Sequence, residues 1–151
     1  MSYLIVKIER VIIMCGNDSN CIGDVLKVIC ILQRNADCDE ACLDTCDRGF
    51  LGCSVTNLNC NTRPISLYLC GSDNTPLAMP ISKSPTETET SIVFRVEKCD
   101  DGCATFRVLT PNTDPETSAT IPFLSTQSFF TVNLSCVCVL RCFNDTFVDN
   151  I

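Results

Sequence analysis

The chain has 151 residues, 46% of them hydrophobic, with a net charge of −7, 14 cysteines and no histidine. A core of this size stands without covalent staples, and small disulfide scaffolds reach such a cysteine density only below about 80 residues, so the cysteines exceed what folding alone asks of them. The acidity and the lack of a Lys/Arg cluster argue against nucleic acid or membrane as a partner, and without imidazole neither the usual activated cysteine nor a mixed Cys/His zinc site can be built.

Residues 1–20 read as a flexible or strand-like extension. The stretch from Tyr3 to Ile13 is apolar but carries Lys7, Glu9 and Arg10, and it is about half the roughly 20 residues a membrane span requires. It lacks the basic start and small-residue cleavage site of a signal peptide, which points to synthesis in the cytoplasm. Two readings of it stay open: a short strand with Leu4, Val6 and Ile8 on one face, or an upstream start with Met14 as the natural initiator.

Residues 21–49 read as a cysteine-rich helical segment. Ser19 or Asn20 can cap a helix over 21–34, where Ile22, Val25, Leu26, Ile29 and Leu32 recur at helical spacing. Asp37 can cap a second helical piece through Cys38, Cys42 and Cys46, stopped by Gly49. Asp37, Asp39, Glu40, Asp44 and Asp47 are strung along that piece, a pattern that fits a solvated face better than a calcium loop.

From residue 50 onward the texture changes to short β-branched and aromatic runs broken by Gly, Pro, Asn and Asp, the mark of an antiparallel module over 50–151. Ile65, Leu67 and Leu69 alternate with Ser66, Tyr68 and Cys70. Ile92, Phe94 and Val96 alternate with Val93, Arg95 and Glu97, and Asp100-Asp101-Gly102 turns the chain into Ala104, Phe106 and Val108, a hairpin. Residues 71–90 and 110–120 read as exposed loops, and a last strand over 129–140 places Phe130, Val132, Leu134, Cys136, Cys138 and Leu140 on one face. The expected fold is α+β and mainly antiparallel β, with one or more amino-terminal helices docked on a β-sandwich-like module in a single domain.

No two cysteines are separated by two residues, the spacing that zinc ribbons, ferredoxins and thioredoxin-like sites use. Cys38, Cys42 and Cys46 stand on successive helical turns pointing one way, and Cys136 and Cys138 project from one face of a strand about 6.5 to 7 Å apart, so neither group can pair internally. Cys136 and Cys138 share their face with apolar residues and are expected in the core, with Cys103 and Cys142 as further structural or buried candidates. Cys15, Cys21, Cys38, Cys42, Cys46 and Cys53 have little hydrophobic context and are the candidates for bonds between subunits. Asp39, Glu40 and Asp44 beside those thiols disfavour the thiolate and slow exchange, which suits a structural role. The sequons at Asn17, Asn133 and Asn144 are assigned no function.

Taken in order, several segments carry a resemblance: Ile31-Leu32-Gln33, Phe50-Leu51-Gly52, Asn61-Thr62-Arg63-Pro64 opening a strand, Phe94-Arg95-Val96-Glu97, Cys103-Ala104 through Arg107-Val108-Leu109, and Thr131 through Cys142. Together, over about residues 21 to 143, they resemble the CotZ/CotY/ExsY-type cysteine-rich spore coat and exosporium family of endospore-forming bacteria. Arg63, Pro64, Phe94, Arg95 and Glu97 are the residues that carry the motif most compactly. The resemblance implies a non-enzymatic building block, without cofactor, made in the mother-cell cytoplasm. It also implies assembly with itself as hexamers and a lattice, and with other coat or exosporium proteins, in a disulfide-hardened shell at the spore surface. Two other classes compete: a thiolate metal-buffering protein, which predicts zinc or copper at defined stoichiometry in the reduced monomer, and a thiol oxidoreductase, which predicts a cysteine of depressed pKa beside Lys or Arg in a cleft.

Overall fold

The computed structural model describes residues 21–34 and 60–151. The expected extension over 1–20, the second helical piece and the cysteines at 15, 38, 42, 46 and 53 lie outside the described residues. Helix α1 covers Cys21–Arg34, with Asp24 in its first turn and Arg34 in its last, each charge matched to the helix dipole. The strands are β1 (Ile65–Leu69), β2 (Met79–Pro80), β3 (Thr90–Ser91), β4 (Val93–Asp100), β5 (Cys103–Pro111), β6 (Phe123–Asn133) and β7 (Val137–Cys142). Five of them form one sheet in the order β6-β5-β4-β1-β7, every neighbour antiparallel, and β2 and β3 form a separate short ribbon. This is the α+β, mainly antiparallel architecture expected.

Alternation decides which face each strand buries. Ile65 and Leu67 of β1, Phe94 and Val96 of β4, and Phe106 and Val108 of β5 meet Leu26 and Ile29 of α1 in the main core. Phe94, Phe106 and Phe130 form an aromatic trio, Phe94 meeting Phe130 edge-on at 4.7 Å between centroids and Phe106 stacking on Phe130 at 5.4 Å. On the opposite face a second cluster gathers Val93, Leu109 and Val148 with Phe123 and Phe143. The carboxy-terminal segment reaches that cluster by pairing Thr146 with Thr62.

The β4–β5 hairpin forms as the sequence predicts, with Asp100 opposite Cys103 and Gly102 at φ +86°, a conformation glycine takes without a Cβ penalty. Where β1 and β4 diverge after Ile65↔Phe94, a helix side chain replaces the ladder. Gln33 donates through Nε2 to Val96 O at 2.7 Å and accepts at Oε1 from Arg63 N at 3.1 Å.

Three expectations are corrected. Residues 71–90 are not all loop, because they contain β2 and the first residue of β3, and Leu77, Met79 and Ile81 pack against the main core. Ile92 does not share the face of Phe94 and Val96; the chain bends before Val93, whose N–H donates to Ser91 Oγ, and Ile92 is exposed. The expected single strand over 129–140 is two strands on opposite edges of the sheet, joined by a 3₁₀ turn over Leu134–Cys136. Asn133 Oδ1 accepts from Ser135 N and so caps the turn, and Leu134 N donates to Gly102 O at 2.9 Å. The turn resets the alternation, leaving Leu134 and Val137 buried and Cys136 and Cys138 exposed.

Candidate functional site: a thiol rim and a buried ion-pair network

Two backbone bonds, Leu134 N to Gly102 O at 2.9 Å and Cys70 N to Cys136 O at 2.9 Å, gather the β4–β5 tip, the end of β6, the start of β7 and the residue after β1 at one end of the sheet. The start of α1 is fixed there too: Cys99 Sγ donates to Gly23 O at 3.8 Å, and Lys27 Nζ pairs with Asp101 at 3.0 Å across the hairpin tip. This end therefore collects Cys21, Cys70, Cys99, Cys103, Cys136 and Cys138 from five elements and the turns between them. Cys70 and Cys138 form a disulfide with a Cα–Cα distance of 5.0 Å, which ties β1 to β7. Among the described residues the free thiols are Cys21 and Cys136, both exposed, Cys99 and Cys103, half-buried, and Cys30, buried.

The free thiols differ in environment. Burial pushes the Cys30 thiol above its ordinary value, while Arg34 and Arg95 pull the other way. Cys99 is also pushed up, by burial first and by the neighbouring Cys30 second. These two are held as neutral thiols, poor nucleophiles and poor metal ligands. Among the described residues no group of three or more Cys, Asp or Glu side chains is arranged to hold a metal ion.

The opposite part of the sheet is organised by charge. Arg63 and Asp145 are buried together, Nε to Oδ1 at 2.8 Å and Nη2 to Oδ2 at 3.2 Å, a two-pronged pair. Arg95 donates to Thr62 Oγ1 at 2.9 Å and to Asn61 O at 3.2 Å, and it pairs with Glu97 at 2.8 Å. Glu97, the extra residue of a bulge between Val96 and Lys98, also takes Arg107 Nε at 2.9 Å. Arg107 in turn lies 4.6 Å over the Phe129 ring.

The motif residues are accordingly fold-forming: Arg63 in its ion pair, Pro64 buried with its carbonyl accepting from Phe143 N at 2.8 Å, Phe94 in the core, and Arg95 and Glu97 paired. Of the subunit-linking candidates, the described Cys21 is an exposed free thiol at the start of α1. Of the structural or buried candidates, Cys138 and Cys142 are disulfide-bonded, Cys103 is a half-buried free thiol, and Cys136 is exposed. The expectation of Cys136 and Cys138 in the core is therefore corrected; the capped turn shifts their parity. Sequence reasoning assigned no role to Cys70, Cys60, Cys30 or Cys99. Cys70 could have been found as the cysteine ending a strand next to the terminal Cys-Val-Cys, and Cys60 is likewise disulfide-bonded.

The pattern of this set, motif residues spent on the fold and thiols left at a rim, agrees with the comparison of the chain with known families. Residues 14–145 match Spore coat protein Z. The chain belongs to this spore coat family. No curated protein and no solved structure matches it. Membership gives the chain a structural role in the spore coat, at the spore surface. Among the described residues, no helix is long and apolar enough to cross a membrane.

Proposed function

We propose that this protein is a non-enzymatic building block that assembles with itself into a two-dimensional layer of the spore coat or exosporium and is then locked by disulfides between subunits. The observation that carries the reading is that the fold closes with its own bridge, Cys70–Cys138, and still leaves Cys21 and Cys136 free and exposed at the same end of the sheet. Weak contacts repeated over a lattice give avidity, and disulfides between copies then make dissociation inaccessible except by reduction. Cys21 and Cys136 are the linking candidates within the described residues; Cys15, Cys38, Cys42, Cys46 and Cys53 are candidates on sequence grounds. The family resemblance supports hexameric units, other coat or exosporium proteins as neighbours, and synthesis in the mother-cell cytoplasm without a signal peptide. No cofactor is called for.

Natural material is expected to run as a ladder, or to stay in the well, on a denaturing gel without reductant and to enter as monomer with it. Negative-stain microscopy of overexpressed protein is expected to reveal ordered sheets or hexagonal particles. A clean monomer in both lanes, with dispersed monomers at high concentration, overturns the proposal.

A further inference from the structure

We infer that the Cys70–Cys138 bridge is one form of a three-sulfur exchange site, in which Cys136 displaces Cys138 and the disulfide moves along the chain by two residues. Register is the starting point. β1 pairs with β7 as Ile65↔Cys142 through Tyr68↔Val139 and then shifts to Leu69↔Val137, so Cys138 is the residue inserted by the bulge. One further step in the shifted register sets Cys70 across from Cys136, and Cys70 N donates to Cys136 O at 2.9 Å there.

Cys70 is thus bonded to the bulge residue, while the residue directly opposite it carries an exposed free thiol. The bond from Cys70 N to Cys136 O holds the two backbones together just beyond the ladder, and a disulfide needs Cβ atoms ~3.5–4.5 Å apart, so an adjustment of the turn brings either partner to Cys70. Both competing cysteines are exposed residues, and Cys136 sits on a three-residue turn at the strand end, outside the ladder.

The exchange balances without an external oxidant or reductant. Cys136 gives its proton to solvent, and its thiolate attacks Cys70 Sγ; the Cys70–Cys138 bond breaks, and Cys138 leaves as a thiolate that takes up a proton. One disulfide and one thiol exist before and after. What changes is the position of the outward thiol, on the 3₁₀ turn in one isomer and on the edge strand β7 in the other. The inference rests on one subunit, so its failure would leave the cross-linking proposal standing.

The test uses the oxidised full-length chain. Protein held at about pH 8.5 is quenched in acid, its free thiols are labelled, and it is digested without reductant; fragmentation between residues 136 and 138 then locates the label. Label is expected on both Cys136 and Cys138, with the approach to the final ratio accelerating on the order of tenfold per pH unit below the thiol pKa. The variant Cys138→Ser is expected to close Cys70–Cys136. Label confined to Cys136 at every time overturns the inference, as does a free Cys70 in a folded Cys138→Ser protein. If that variant does not fold, the wild-type partition decides alone.

Discussion

Replacing Asp145 by Asn tests whether the buried ion pair organises the charged part of the sheet. The side chains of Arg63 and Asp145 are 2% and 1% exposed, and two short contacts join them. Removing one charge breaks a two-pronged pair that is buried on both sides, a loss of about 3–5 kcal/mol, against a total stability of about 5–15 kcal/mol for a domain. With a urea dependence of about 2 kcal/mol per molar, the unfolding midpoint should fall by about 2 M when the disulfides are kept intact. The loss has a local route, because Asp145 precedes Thr146, whose bridge to Thr62 holds the carboxy-terminal segment on Val93 and Leu109. Replacing both partners with apolar residues, Arg63→Met with Asp145→Leu, should recover part of the loss, since two uncharged side chains need no counterion. The exposed pair of Lys27 and Asp101 serves as control, and Asp101→Asn should leave the midpoint unchanged. A midpoint for Asp145→Asn indistinguishable from wild type, or a double variant no better than the single, refutes the reasoning.

Gln33→Leu removes the side chain that satisfies both Val96 O and Arg63 N between β1 and β4, and should cost about 2–4 kcal/mol by the same denaturation assay; a loss below about 0.5 kcal/mol contradicts the bridging role. Alkylation of the native chain should modify Cys21 and Cys136 first, and Cys30 and Cys99 last, read by mass spectrometry over time, because the latter two are held neutral by burial. Their raised values carry a sign: the folded state keeps these protons where the unfolded chain has lost them. Their contribution is full below the unfolded thiol range and is lost as pH rises through the folded values, so stability should decline on the alkaline side. Cys30→Ala with Cys99→Ala should flatten that decline, and an unchanged slope argues against the assignment.

Local rules reached as far as local causes operate. The helical spacing of Leu26 and Ile29, the alternation of Ile65 and Leu67, and the Asp101-Gly102 turn each depend on a few neighbouring residues, and each forms as read. The stretch from Phe129 to Leu140 did not, because its alternation is continuous in sequence while the chain leaves one edge of the sheet and joins the other. The deciding interactions are the Asn133 cap and the bond from Leu134 N to Gly102 O. The second spans 32 residues and has no local signature. The same turn sets the exposure of Cys136 and Cys138, so an error of one element became an error about two thiols. Arg63 was legible as a motif residue, but its partner Asp145, 82 residues later, was not.

The division of the sheet into a thiol end and an ion-pair part bears on how a coat subunit can be both rigid and linkable. Disulfide exchange is indifferent to sequence; what selects partners is which sulfurs solvent and neighbours can reach. Here the sulfurs with reach sit on turns and element ends, where small backbone adjustments leave the core untouched. The residues that fix the core, Arg63, Gln33, Arg95 and Glu97, meet in ion pairs and hydrogen bonds made by nitrogen and oxygen atoms. A subunit built this way can exchange bonds at its rim while the register of its sheet stays fixed. Reduction of assembled layers should then release subunits that keep their far-ultraviolet circular dichroism, and loss of that signal on mild reduction would mean that the bridges hold the fold as well as the layer.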